Sequence, residues 1–220
     1  MNKVLIFDCD STLSRVEGID ELARWRSPGI FAACEGMTND AMNGLLRVEE
    51  VFARRLDLIQ PSRSEFEKLA TLYWETLVPH AEETAQILRA AGWRLWILSG
   101  GFLPAVEPWA ARLGVERIGA VPVHFDADGN YLDFDREFPT TRSGGKPEWI
   151  RKHRQEVARP NRFVMVGDGS SDLETRPEVD LFVGFGGVVV REKVKSGAEV
   201  FLNNLAELPA VLENRDWGTE

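Results

Sequence analysis

Three short apolar runs stand far apart along the chain, at Lys3–Phe7, Trp93–Leu98 and Phe163–Val166. Each places hydrophobic residues consecutively, with Val or Ile among them, as a strand buried on both faces requires. Each is followed by small or acidic residues, at Asp8–Thr12, Ser99–Gly101 and Gly167–Asp172, and then by a helical pattern. A helix over about Ala81–Ala91 leads into the second run, with Gly92 placed to end it in a left-handed conformation. Another, from about Lys146 to Val157, leads into the third. Strand–loop–helix units of this kind predict an α/β fold, a Rossmann-like parallel sheet flanked by helices. Ligands bind such sheets in the crevice beyond the carboxyl ends of the strands, where all three loop segments land.

Residues 14–76 depart from that alternation. They hold no strand-like run but several helical stretches, about Gly18–Arg26, Asp40–Leu45, Val48–Leu58 and Glu65–Trp74. The last has a start signal in Pro61-Ser62-Arg63-Ser64-Glu65: Ser62 can cap the first turn and Glu65 can return the bond, as in a capping box. The region reads as a small helical cap domain (14–76) inserted after the first strand, over the sheet's carboxyl edge. Residues 1–13 and 77–220 then form the core domain. Between Val121 and Phe134, two alternating runs flank Asp126-Ala127-Asp128-Gly129, which suits a hairpin turn.

Composition narrows the class of protein. Of 220 residues, 44% are hydrophobic and 10% aromatic, enough to fill a core and against intrinsic disorder. The 26 basic and 35 acidic residues leave a net charge of −9, which disfavours a general nucleic-acid binder. No apolar run approaches the ~18–20 residues of a membrane-spanning helix. Asp8 and Asp10 interrupt the apolar run at the N-terminus, so it does not read as a secretory signal. Cys9 and Cys34 make no disulfide framework and fit a reducing compartment. These features predict a cytoplasmic protein with no membrane and no nucleic-acid partner.

Asp8-Cys9-Asp10-Ser11-Thr12 carries the strongest chemical signal. Two carboxylates just after a buried strand are costly unless positive charge sits near them, and a hard cation such as Mg2+ supplies it through oxygen ligands. The first Asp can attack phosphorus and the second can move protons. A pair of acids capping the next turn is the alternative. Gly167-Asp168-Gly169-Ser170-Ser171-Asp172 adds two carboxylates, or else a turn with Asp as a helix cap. Ser99-Gly100-Gly101 offers a hydroxyl and backbone N–H groups that can cradle phosphate oxygens at a helix start. Lys146, after Ser143-Gly144-Gly145, opens a helix where a cation is unfavourable unless an anion lies nearby; a solvated lysine is the alternative.

Together these residues resemble the haloacid-dehalogenase superfamily of phosphotransferases, whose four motifs stand here in order: Asp8 to Thr12, Ser99-Gly100, Lys146, and Gly167-Asp168 through Asp172. A narrower resemblance, to its members that act on phosphoserine, rests on Glu17–Ala23 (EGIDELA), Arg54–Arg63 (RRLDLIQPSR), Leu98–Phe102 (LSGGF), SGGK and Gly184–Val188 (GFGGV). It covers nearly the whole chain. The resemblance implies Asp8 as nucleophile and Asp10 as general acid/base. It implies Mg2+ held by Asp8, the Asp10 main-chain carbonyl and Asp168, with Asp172 orienting the metal's surroundings. Ser99, Gly100 and Lys146 would bind the transferring phosphoryl group. Glu17 matches the acid that meets the substrate ammonium, Arg55 the arginine that takes its carboxylate, and Met42 a residue packing over the substrate. Ser171 matches a polar position near the phosphate. Val48 stands where relatives often carry Phe, and Cys9 where Phe or Val is common.

The resemblance therefore implies a Mg2+-dependent hydrolysis of O-phospho-L-serine through an aspartyl-phosphate, the last step of serine biosynthesis, by a monomer or homodimer. The alternatives are transfer to an acceptor such as homoserine, hydrolysis of another small phosphomonoester, or a non-catalytic phosphoaspartate or phosphate-binding protein. Asp10 argues against the last, since an acid/base beside the nucleophile serves repeated hydrolysis. His80, His124 and His153 lack metal-ligand spacing and read as structural. The basic stretch Arg151-Lys152-His153-Arg154 reads as a solvated helix face.

Overall fold

Along β1 (Asn2–Phe7), Val4, Leu5 and Ile6 are all fully buried, because helices cover both faces of the sheet they belong to. The computed structural model describes residues 2–42 and 48–217. After β1 come α1 (Gly18–Arg26), α2 (Pro28–Met42), α3 (Val48–Ile59) and α4 (Arg63–Glu75). The strand–helix alternation then resumes with α5 (Ala81–Ala90), β2 (Trp93–Phe102), α6 (Leu103–Ala110) and β3 (Val115–Val121). A hairpin of β4 (Val123–Phe125) and β5 (Tyr131–Phe134) precedes α7 (Gly145–Arg154) and β6 (Asn161–Gly167). The chain ends with α8 (Ser170–Leu173), β7 (Leu181–Phe185), α9 (Glu192–Gly197), β8 (Val200–Leu202) and α10 (Leu208–Asn214).

The main sheet has six parallel strands in the order β3-β2-β1-β6-β7-β8. Side chains two apart share a face. Leu5, Ile97, Val164 and Val166 therefore pack with Ala85 and Leu88 of α5, in one apolar layer. Val4, Ile6, Trp96, Leu98, Phe163 and Met165 pack on the other side with Trp149 and Ile150 of α7. This double burial explains why the strands read as unbroken apolar runs. β1 lies between β2 and β6, so the residues after these three strands meet at one edge.

Two details of the strands differ from the sequence reading. β2 continues through Ser99-Gly100-Gly101 to Phe102 instead of ending at Leu98. Its pairing jumps from Leu98↔Gly119 to Phe102↔Val121, so the intervening residues bulge. The serine and glycines thus form an irregular strand end, and α6 begins only after them. Strands β3, β7 and β8, of which β3 and β8 form the sheet's two edges, lie beyond the three apolar runs that the sequence marks.

The inserted helices follow their signals closely. Ser62 and Glu65 form the expected capping box at the start of α4. Of the stretch expected over Asp40–Leu45, Asp40–Met42 are the end of α2, which starts at Pro28, and the rest falls within residues 43–47, outside the described residues. Ser27 Oγ accepts from the Ile30 N–H at 3.2 Å, so Ser-Pro is a start signal of its own, a capping hydroxyl before a proline at the first helical position. The two strands of chain joining these helices to the sheet are tied together. Arg15 N–H donates to Thr76 O and Val78 N–H to Leu13 O, both at 2.9 Å, and the Ser14 and Thr76 hydroxyls lie 2.9 Å apart.

Aromatic rings join the inserted helices to the rest. Phe66 of α4 lies 5.2 Å from Phe102 and 5.7 Å from Phe125, and Phe52 of α3 lies 5.2 Å from Phe134. Tilted and edge-on pairs of this kind add about 0.5–1.5 kcal/mol each beyond the area they bury. On α7 Arg151 and Lys152 are exposed, as a solvated face requires, and ion pairs add to it: Arg151 reaches Glu178 at 2.7 Å and Arg154 reaches Asp180 at 2.8 Å.

Candidate active site

The loop after β1 wraps around one carbonyl. The N–H groups of Leu13 and Ser14 both reach Cys9 O at 2.9 Å, and Ser11 takes a left-handed φ of 53°. A non-glycine residue in that region is uncommon, and here it is held in the turn directly after Asp10. Asp8 is still tied to the sheet, since its N–H donates to Val166 O at 2.9 Å. Cys9 is buried, and burial pushes its thiol well up, so it acts as a small core residue.

Asp168 and Asp172 arrive from the neighbouring strand end. One oxygen from each of Asp8, Asp168 and Asp172 lies within 4.8 Å of the others, and all three residues are buried. Lys146, at the start of α7, reaches into this group and is itself only 5% exposed. Its Nζ stands 2.9 Å from Asp8 Oδ1 and 2.6 Å from Asp172 Oδ1. The anion that its helix-start position demanded is thus a pair of carboxylates. Cys9 N–H also donates to Asp8 Oδ1, at 2.8 Å. Asp172 Oδ2 accepts from Gly169 N–H at 2.9 Å, so both Asp172 oxygens are engaged. Thr12 Oγ1 donates to Asp168 Oδ1 at 3.1 Å, and Arg191 Nε to Asp168 Oδ2 at 2.9 Å.

Asp10 turns its carboxylate away from this group. Its Oδ1 accepts from Tyr73 Oη at 2.5 Å and from Gly18 N–H at 3.3 Å. Glu17 is bonded to the same loop, Ser11 Oγ donating to its Oε1 at 2.6 Å, and lies 3.7 Å from Arg191. Arg55 is partly buried on α3. Burial lowers its guanidinium's pKa, while Asp20, Glu17 and Asp10 act to raise it, which puts Arg55 on the side of the site where the inserted helices lie. Ser99 is buried, its hydroxyl accepting from Gly101 N–H at 2.9 Å, and Gly100 is partly exposed beside it. Ser171 is exposed on α8, and the side chains of Met42 and Val48 lie outside the described residues.

Negative charge is in excess here. Burial, then Asp8, pushes Asp172 up to about 8 in spite of Lys146, and the same two causes raise Asp168 against Arg191 and Thr12. Asp10 is held well above the carboxylate range by burial and then Glu17, with the Tyr73 and Gly18 bonds pulling it down. Burial alone would lower the Lys146 ammonium; Asp172 and Asp8 outweigh it and raise the pKa. A buried, all-oxygen, under-compensated donor set of this kind fits a hard divalent cation.

The sequence profile of the haloacid dehalogenase-like hydrolases matches residues 5–175. The chain belongs to this hydrolase family. It is 39% identical to phosphoserine phosphatase of Mus musculus over 94% of this chain and 92% of that protein. Among solved structures, it is similar to a phosphoserine phosphohydrolase-like protein from Francisella tularensis, with a TM-score of 0.82 and 26% identity over 96% of this chain and all of that one (100%). A phospho-aspartyl intermediate analogue of phosphoserine phosphatase matches with a TM-score of 0.77 and 26% identity, over 98% of this chain and 99% of that one. Haloacid dehalogenase-like phosphatases work with a divalent metal, and in this hydrolase the buried Asp8, Asp168 and Asp172 group suits one.

Three contacts of the hydrolase's site escaped the sequence. Tyr73 lies on the apolar face of an amphipathic helix, where a tyrosine reads as core. Arg191 follows an apolar stretch in a loop, with no pattern to aim it at Asp168. Thr12 stood inside a recognised motif, but its partner is remote in sequence. Among the described residues no helix is long and apolar enough to cross a membrane.

Proposed function

We propose that this hydrolase is a Mg2+-dependent phosphatase that converts O-phospho-L-serine and water to L-serine and phosphate, the last step of serine biosynthesis. The meeting of Asp8, Asp168 and Asp172 around Lys146 carries the proposal. Residues 14–76 act as a cap domain over a core of 1–13 and 77–220, and the enzyme works in the cytoplasm as a monomer or homodimer.

Asp8 attacks phosphorus through the carboxylate oxygen that Lys146 and Cys9 N–H do not hold. The P–O ester bond breaks as the P–O bond to Asp8 forms, and the leaving serine oxygen takes a proton from Asp10. In the second half, water attacks the aspartyl-phosphate, Asp10 takes the water's proton, and Asp8 leaves as a carboxylate with phosphate released. Lys146, Ser99 and the Gly100 backbone donate to the phosphoryl oxygens, where negative charge spreads in the transition state. Asp8, the Asp10 carbonyl and Asp168 would hold Mg2+, with Asp172 oriented by its own two bonds. When bound, Mg2+ neutralises charge on the carboxylates and polarises the phosphoryl group. Glu17 pairs with the substrate ammonium and Arg55 with its carboxylate, a planar fork suited to a bidentate contact. Met42 covers the substrate, and Ser171 lends a hydroxyl to the phosphate region as that region closes.

Phosphate release tests the reading, with phosphoserine, phosphothreonine, phosphoethanolamine and glycerol phosphate compared in Mg2+ and in EDTA. A metal-dependent preference for phosphoserine, abolished by Asp8→Asn with the fold intact, is the expected result. Metal-dependent release from the others but not from phosphoserine overturns the substrate. Phosphorylated product on added homoserine, in place of free phosphate, makes the enzyme a transferase.

A further inference from the structure

The donors on the Asp10 carboxylate come from the inserted helices and not from the sheet that carries Asp10. Tyr73 belongs to α4 and Gly18 to the first turn of α1, and both bond Oδ1. Tyr73 is completely buried, its ring edge-on to Trp109 at 6.2 Å, so water has no place in satisfying its hydroxyl. A buried phenol needs a partner for its O–H, and this one has a carboxylate.

Two residues without side chains make room for that hydroxyl. A Cβ on Gly18 would stand 2.1 Å from Tyr73 Oη, which no packing tolerates. A Cβ on Gly101 would stand 3.5 Å from Tyr73 Oη and 3.4 Å from Asp10 Oδ2. Asp10 therefore has one oxygen tied to the inserted helices and the other turned toward the bulged end of β2, beside Ser99.

We propose that Tyr73 is a positioning residue for the reaction: by holding Oδ1 it fixes the Asp10 side chain so that Oδ2 meets the leaving oxygen in the first half-reaction and the water in the second. This rests on the acid/base reading of Asp10 given above. A rotamer left free would spend most of its time misaligned, and proton transfer depends on hydrogen-bond geometry. Tyr73 touches neither substrate nor phosphorus and acts only through Asp10.

The test uses the full chain with Mg2+, comparing wild type, Tyr73→Phe, Asp10→Ala and the double variant. Tyr73→Phe keeps the ring and should lower kcat for phosphoserine about tenfold with KM within about twofold, a fraction of what general acid–base catalysis supplies. With p-nitrophenyl phosphate, whose leaving group needs little protonation, the burst of nitrophenolate should keep its rate while the steady-state rate falls. In the Asp10→Ala background, Tyr73→Phe should change nothing further. All rates are taken at least 10 °C below the lowest unfolding midpoint, so a loss of stability does not enter them. An unchanged kcat, equal losses in burst and steady state, or a loss that persists without Asp10 overturns the positioning role. Wild type that releases no phosphate from any of these substrates overturns the functional reading itself, and Asp10→Ala as active as wild type overturns the role of Asp10.

Discussion

Lys146 Nζ stands between two carboxylates that follow different strands, 2.9 Å from Asp8 Oδ1 and 2.6 Å from Asp172 Oδ1. Neither acid has comparable compensation without it. Lys146→Met should remove turnover and cost about 3–5 kcal/mol of stability above about pH 8, where Asp172 as well as Asp8 is ionised, as the loss of one partner of a buried ion pair does. Urea midpoints and phosphate release measure the two effects. The stability cost should shrink in acid, where the carboxylates can protonate; a cost that stays equal at pH 5 and pH 8 counts against this account.

The Asp172 carboxyl itself makes the metal-free protein sensitive to pH. Burial, then Asp8, raises it to about 8 in the fold, whereas an unfolded Asp releases its proton near ~3.9. Between those values the unfolded chain has lost a proton that the folded chain keeps. Stability from this group is therefore complete below about pH 4 and falls as pH rises toward about 8. Thermal midpoints in EDTA should decline across that window, and Mg2+ should flatten the decline. A flat profile in EDTA would mean that Asp172 is ionised throughout.

Arg55 separates recognition from chemistry. Arg55→Ala should lower kcat/KM for phosphoserine by roughly 10–100-fold, the worth of a charge-assisted hydrogen-bonded pair. With p-nitrophenyl phosphate, which has no carboxylate, the loss should be under about threefold. Equal losses on both substrates would remove the carboxylate role.

Gly145, just before Lys146, admits no side chain. A Cβ there would sit 1.6 Å from Pro139 O, a clash with backbone that no rotamer relieves. Gly145→Ala should therefore displace the start of α7, lowering stability by about 2–4 kcal/mol and dragging Lys146 from its carboxylates. Guanidinium unfolding and the phosphoserine rate together check this, and an active, fully stable Gly145→Ala protein contradicts it.

What the sequence revealed was whatever is local. The apolar runs at β1, β2 and β6, the Ser62–Glu65 capping box and the Asp126–Gly129 turn are each written in consecutive residues, and each formed as read. Gly92 takes the expected left-handed conformation, with φ 83°. The core-site acids could be placed together because parallel strands end on one edge. Less visible were features set by tertiary pairing. The bulge that carries β2 past Leu98 depends on its register with β3, and the Tyr73–Asp10 and Arg191–Asp168 bonds join residues with no shared motif. Ser27-Pro28 is also a local signal, a capping hydroxyl before a proline, and it sets the start of α2 ahead of the stretch that periodicity marks.

The placing of β1 between β2 and β6 also bears on how the protein is made. The strand that leads into Asp8 leaves the ribosome well before β6, so one of its edges has no partner until Asn161–Gly167 has been synthesised. At ~5–20 residues per second, that edge waits roughly 3–13 s after β2 is complete. During this interval a strand with four consecutive apolar residues, Val4 to Phe7, stands open to wrong pairing, and parallel pairings across such a separation form slowly. Chaperone demand should therefore be concentrated in nascent chains longer than β2 and shorter than β6, before any carboxylate of the site has met its neighbour.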